Sequence, residues 1–141
     1  MSVEKVRTAL EVAVFAMTPT LLTSWENQDF TPPAQTTAGI PWQEVRFIFN
    51  EPDNSALGPS YYQERGVMQI VLHYPAGKGA HAAAARAELI RTTFARGESF
   101  SNGGVTTLIE KTPRIGQGIL DAVHREWVLP VLIRFKADIF L

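Results

Sequence analysis

The sequence predicts an α+β fold, a sandwich in which two helices pack on a mixed, mainly antiparallel sheet of four to five strands. Three observations carry that expectation. Apolar residues recur at three-and-four spacing over residues 2–17 and again over 81–96, the pattern of helices with one buried stripe. Runs of strand length and strand composition fall at 42–50, 67–74, 105–111 and 127–140. Their order, α, β, β, α, β, an optional short β, then β, mixes the two types within one chain of 141 residues, a length that suits a single domain spanning residues 1–141.

The first helix places Val3, Val6, Leu10, Ala13, Val14 and Met17 on one side and Glu4, Lys5, Arg7, Thr8 and Glu11 on the other. Ser2 suits the N-cap, and Thr18-Pro19 ends the run, because proline disfavours helical geometry in the residue before it. Residues 18–41 are rich in proline and threonine yet hold Trp25 and Phe30, so they read as an ordered, extended segment clamped to the body. WQEVRFIFN (42–50) alternates, with Val45, Phe47 and Phe49 on one face and Glu44, Arg46 and Ile48 on the other. EPDNSALGPSYYQER (51–65) carries turn residues in place of periodicity and reads as a long exposed loop, or a mobile hairpin tip, between two antiparallel strands.

VMQIVLHY (67–74) is apolar at nearly every position, which predicts a central strand covered on both faces. The helix after it, from His81 to Arg96, has a stripe through Ala83, Ala87, Ile90 and Phe94, and Gly97 is placed to end it in a left-handed cap. VTTLIEK (105–111) is a third strand, a short one is expected within Ile119–His124, and the chain closes with the long strand WVLPVLIRFKADIF. Pro130 cannot donate a ladder hydrogen bond, so that strand should start at an edge or a bulge.

Composition narrows the chemistry. The apolar fraction of 45% is enough for one core, and a net charge of −1 argues against generic nucleic-acid binding, which needs a basic surface. There is no cysteine, hence no disulfide, thiolate nucleophile or thiolate-held zinc. The longest apolar runs, VAVFAM and WVLPVLI, are far short of the roughly 18 residues of a spanning helix, and no cleavage signal follows a basic start, so a soluble, unprocessed protein is expected.

The stretch PAGKGAHAA (75–83) has the outline of a phosphate loop, a strand giving way to glycines, one lysine and a helix. It completes neither G-x-x-x-x-G-K-[ST] nor G-x-G-x-x-G, because Ala76 and Ala82 stand where glycines are needed and no hydroxyl follows Lys78. Pro75, Gly77, Gly79 and, at the far end of the helix, Gly97 therefore read as structural turn residues, with glycine admitting positive φ. His73, His81 and His124 lack helical metal-pair spacing. Ser99 and Ser101 lie beside Asn102-Gly103-Gly104, a hairpin turn signal rather than a nucleophile elbow. Neither catalysis, a metal nor a cofactor is expected.

One resemblance spans most of the chain. SWENQDFTPP (24–33), GVMQIVLHYPAGKGAHAAAARAELIRTTFARG (66–97) and WVLPVLIRFKAD (127–138) resemble the tail terminator proteins of long-tailed bacteriophages and prophages, of the lambda minor tail protein U type. The most specific block carries Gly66, Gln69, Ile70, Tyr74, Pro75, Gly77, Gly79, Phe94, Arg96 and Gly97; a weaker one carries Trp25-Glu26-Asn27, Phe30 and Pro32. Residues 51–65 have no counterpart in that pattern. The resemblance implies a hexameric ring that caps the tail tube at its set length and then offers a surface for head joining. Its partners would be other copies of itself, the tail tube protein and a head–tail connector protein, with no membrane and with DNA only passing through the lumen. It would sit at the head-proximal end of the virion tail after assembly in the host cytoplasm.

A ring needs anchors, and aromatics are enriched at interface cores. Trp25, Phe30, Trp42, Tyr61, Tyr62 and Trp127, at segment ends or in loops, are the interface candidates together with Arg114, and for the loop or helix-end cations Lys78, Arg96, Arg114 and Arg125 contact with a partner or the lumen DNA competes with plain solvation. The competing readings are another head–tail connector, a small nucleic-acid-binding α/β module and an anion-binding enzyme using the glycine turn.

Overall fold

The computed structural model describes residues 2–33, 35, 39–55 and 58–140; the side chain of Ser2, and with it the expected N-cap, lies outside that set. In chain order the elements are α1 (Ser2–Ala16), β1 (Leu22–Ser24), β2 (Trp42–Phe49), β3 (Tyr61–Pro75), α2 (His81–Thr93), β4 (Ser99–Asn102), β5 (Val105–Ile109), β6 (Arg114–Ile115), β7 (Ile119–Asp121) and β8 (Glu126–Phe140). One eight-stranded sheet runs β1-β2-β3-β8-β5-β4, with β6 and β7 pairing the same edge of β8 beyond β5. Only β1–β2 is parallel, so the sheet is mixed and mainly antiparallel as expected.

The expected four to five strands are too few. β1, β6 and β7 are two or three residues long, too short for an alternation to repeat, so no periodicity marks them; of these, β7 falls within the short strand expected at Ile119–His124. The loop expected at 51–65 is also corrected. Tyr61 to Arg65 are the first third of β3, because β8 is equally long and pairs it along its whole length, from Tyr61↔Phe140 to Pro75↔Glu126. An isolated bridge between Asp53 and Gln63 extends the β2–β3 hairpin further, with Ala56 and Leu57 outside the described residues.

Register sorts the side chains by face. Val45↔Ile70, Phe47↔Met68, Ile70↔Val131, Met68↔Ile133 and Gly66↔Phe135 put the apolar set on one face, where both helices lie. α1 buries Val6, Leu10, Val14 and the following Met17 there, although Val3 is 40% exposed; α2 buries Ala83, Ala87 and Ile90, and Phe94 just past its end completes the expected stripe. Each buried Val, Leu, Ile, Met or Phe among these contributes about 1.5–3 kcal/mol, and each alanine less. Helix α2 stops at Thr93 rather than Arg96. Gly97, at φ 90°, therefore does not cap it but shapes the turn into β4, where its N–H donates to the Ile109 carbonyl at 2.9 Å.

The other face is open. Along β3 the buried Met68, Ile70 and Leu72 alternate with half-buried Val67, Gln69 and Val71, so this central strand is covered on one face only, against the expectation of two. A helix layer exists on a single side, and apolarity at the alternate positions is what made the strand read as doubly covered.

Candidate interaction surfaces

A polar cluster lies at the β2–β3–β8 end of the open face. Trp42 and His73 are register partners and stack with ring centroids 3.8 Å apart and planes 8° from parallel; Phe30 lies on Trp42 at 5.1 Å. Beneath them is Glu126, only 4% exposed. Its Oε2 accepts from Trp42 Nε1 at 2.6 Å and from Gln35 Nε2 at 3.1 Å, while Oε1 faces His73 Nδ1 at 3.0 Å. His73 Nε2 faces Glu44 Oε1 at 2.7 Å, and Arg46 donates to the other Glu44 oxygen at 2.8 Å. A buried carboxylate is tolerated when it is hydrogen-bonded, and Trp42, Gln35 and His73 make three contacts to the two Glu126 oxygens. Because Gln35 also donates to the Ile40 carbonyl, the cluster fastens the proline-rich segment to the sheet, as the clamped reading of residues 18–41 expected.

Beyond the same end, the β7–β8 turn projects outward. Asp121 Oδ1 accepts from the Val123 and His124 backbone N–H groups, and Oδ2 lies 2.8 Å from His124 Nδ1. The side-chain hydrogen bond holds the Asp121 carboxyl below its ordinary range and raises the His124 imidazole above its own. Ile119, Leu120 and Val123 are exposed on this turn, Val123 by 87%. At the opposite end of β8, Tyr61 donates to Asp138 at 2.6 Å and lies 5.1 Å from the exposed Phe140 ring; that bond raises the phenol and lowers the carboxyl.

β3 ends at Pro75, and Gly77 and Gly79 adopt φ of 81° and 79°, the positive values expected of them. Lys78 is exposed and makes no ion pair among the described residues. Gly103 and Gly104, at φ 56° and 82°, close the β4–β5 hairpin between paired Asn102 and Val105. Among the described residues no group of three or more His, Asp or Glu is placed to hold a metal ion, and no helix is long and apolar enough to cross a membrane.

The expected anchors scatter over the molecule. Trp42 is buried in the Glu126 cluster with Phe30 beside it; Trp25 and Tyr62 are half-buried against the core; Trp127 is half-buried beside Gly118, where a Cβ would collide with the indole. Tyr61 sits at the start of β3, and Arg114 is exposed on β6. Composition and spacing missed Arg86, which is 5% exposed on α2 and donates to the Pro19 carbonyl, with Nε and the second terminal nitrogen unpartnered among the described residues. Burial holds its guanidinium below the ordinary range and pushes the neighbouring Tyr74 phenol up. Only the three-dimensional path of residues 18–21 brings that carbonyl to α2.

Fold and surface together define an α+β protein with one helix-covered and one open sheet face, whose distinctive features are surfaces rather than an enclosed pocket. A family model described as phage tail terminator protein matches residues 5–135, and the chain belongs to that family. It is accordingly a structural component of a bacteriophage tail with a role in tail completion. One solved structure, of a protein whose name states no function, shares the fold with a TM-score of 0.73 at 23% identity, covering 100% of this chain and 99% of that one. No curated protein sequence matches.

Proposed function

We propose that the chain is a ring-forming stop for a polymerising tail tube, in the manner of the lambda-type terminators it resembles. Copies close into a hexamer at the tube end when the tube reaches its set length, and the ring's other face receives a head–tail connector protein at the head-proximal end of the tail. Its role is recognition, with no catalytic step and no cofactor, and DNA meets it only in passing through the lumen. Assembly takes place in the host cytoplasm.

Family membership is the observation that carries this reading. Support comes from the half-uncovered sheet and the exposed apolar ends, Val123 and Phe140 among them, since a heterologous ring contact needs two different patches on each subunit. Deleting the gene from its phage tests it. Heads and overlong, unjoined tubes are the expected products in electron micrographs; normal-length tails on heads would refute the assignment. Sedimentation of the purified chain should show monomer giving way to a species of about six subunits as concentration rises.

A further inference from the structure

On the open face, Ile48, Val67 and Leu132 form an apolar floor across β2, β3 and β8: Ile48 pairs Val67, and Leu132 lies diagonally from Val67. Ile48 is 54% exposed. Lys111, Arg114 and Arg134 stand around the Val67–Leu132 part of that floor and line a cleft of about 180 Å³. None of the three has an ion-pair partner among the described residues, whereas Arg46 and Arg65 on the same face are both paired to carboxylates. An apolar centre with an arginine-rich rim is the make-up of a protein interface. Three charges on a chain of net charge −1 neutralise few phosphates, which disfavours DNA as the occupant of an isolated subunit's cleft.

A matching surface lies on the helix side of the molecule. Arg7, Glu11 and Phe15 follow one another at four-residue spacing on α1, so they share a face. Phe15 and Val12 are 67% and 61% exposed. Glu11 and Glu26 line the corner with Trp25, and the exposed Asp29 follows one residue past its Gln28. The corner carries two carboxylates, Glu11 and Glu26, against one guanidinium, Arg7, which is already bonded to Glu26 at 2.7 Å, and the exposed Asp29 adds a third beside its lining in sequence. The corner is thus apolar and acidic where the cleft is apolar and basic, and the two lie on opposite layers of the sandwich.

We infer that copies of this chain associate head to tail, the Lys111/Arg114/Arg134 cleft of one receiving the Glu11/Phe15/Asp29 corner of the next. This rests on the ring reading and supplies its contact. Opposite charge on distinct patches selects the heterologous pairing, because cleft on cleft or corner on corner would oppose like charges.

Two charge-reversed variants test it, Lys111→Glu/Arg114→Glu and Glu11→Lys/Asp29→Lys, with folding checked by circular dichroism. Each alone should need at least about tenfold more protein than wild type to assemble in sedimentation. Mixed one to one, they should assemble again, since every junction is then complementary. Should either variant unfold, Arg114→Gln and Asp29→Asn take its place, and wild-type assembly that falls with added salt while theirs is less sensitive gives the same support. Assembly of both variants alone, as readily as wild type, overturns the contact and leaves the ring reading standing. A wild type that never assembles, even with tail tubes present, overturns both. Retention of wild type on duplex DNA, lost in Lys111→Glu/Arg114→Glu with assembly unchanged, overturns the contact in favour of a nucleic-acid surface.

Discussion

Glu126 reaches His73 only because β3 and β8 pair along their full length: the carboxylate lies opposite Pro75, two residues beyond the imidazole, and meets Nδ1 at 3.0 Å. The same carboxylate accepts from the indole of Trp42 on the next strand and from Gln35. One side chain therefore ties three strands, β2, β3 and β8, and the proline-rich segment together.

Replacing it by alanine should destabilise the protein by about 3–5 kcal/mol, since buried donors are left without an acceptor. Glu126→Gln, which retains an acceptor oxygen, should cost clearly less. Urea denaturation followed by tryptophan fluorescence measures both, and equal losses would show that packing rather than hydrogen bonding dominates the cluster.

At the glycine turn, Gly79→Val should cost on the order of 1–3 kcal/mol, and the cause is backbone strain. A Cβ there would meet nothing within 4 Å, so crowding contributes little, but φ is 79°. Lys78→Ala should leave both stability and tail assembly near wild type. A folded Lys78→Ala that fails in assembly would return the turn to candidacy as an anion site.

His124 supplies a pH dependence whose sign is fixed by its partner. Its folded-state pKa is raised by Asp121, so the pair's stabilising contribution is complete below the ordinary histidine value and is lost as pH rises through the folded one. The Asp121 pKa is lowered, so its contribution is present above the ordinary carboxylate value and is lost as pH falls through the folded one. The pair holds the β7–β8 turn best from about pH 4 to about pH 6.5. In NMR titrations, Asp121→Asn should lower the His124 midpoint; an unchanged midpoint would mean the pair does not persist in solution.

Amide exchange should be slow at Asp53 and Gln63, whose N–H groups donate to each other's carbonyls at 2.9 Å, and slow through Tyr61–Arg65 within the ladder. Rapid exchange through 61–65 would restore the mobile loop that the turn-rich sequence predicts.

Much of the helix layer was legible, because Ala83, Ala87, Ile90 and Phe94 repeat at the helical period and all four are fully buried. The sheet was legible only where strands are long. A two-residue strand such as Arg114–Ile115 has no period to read, and Gln63, Glu64 and Arg65 look like loop until β8 is laid beside them. The surfaces were harder still. Aromatic content flagged Trp42 and Phe30 but not their carboxylate, since Glu126 is 84 residues from Trp42 and nothing local relates them. Arg114 is legible as a loop cation beside Lys78, Arg96 and Arg125, but that Arg134 and Lys111 join it depends on β6 pairing β8 at Leu132.

The 15-residue ladder of β3 and β8 also gives the subunit a mechanical grain. At about 3.4 Å per residue it spans roughly 50 Å, and its hydrogen bonds run perpendicular to the strands. A pull along the strands loads the whole ladder in shear, so its bonds must yield together. A pull across the sheet at the three-residue β1 or the four-residue β4 opens bonds one after another, as a zipper does. Stress along the strand axis meets the stiff direction of this molecule, and stress that peels its outer edges meets the compliant one.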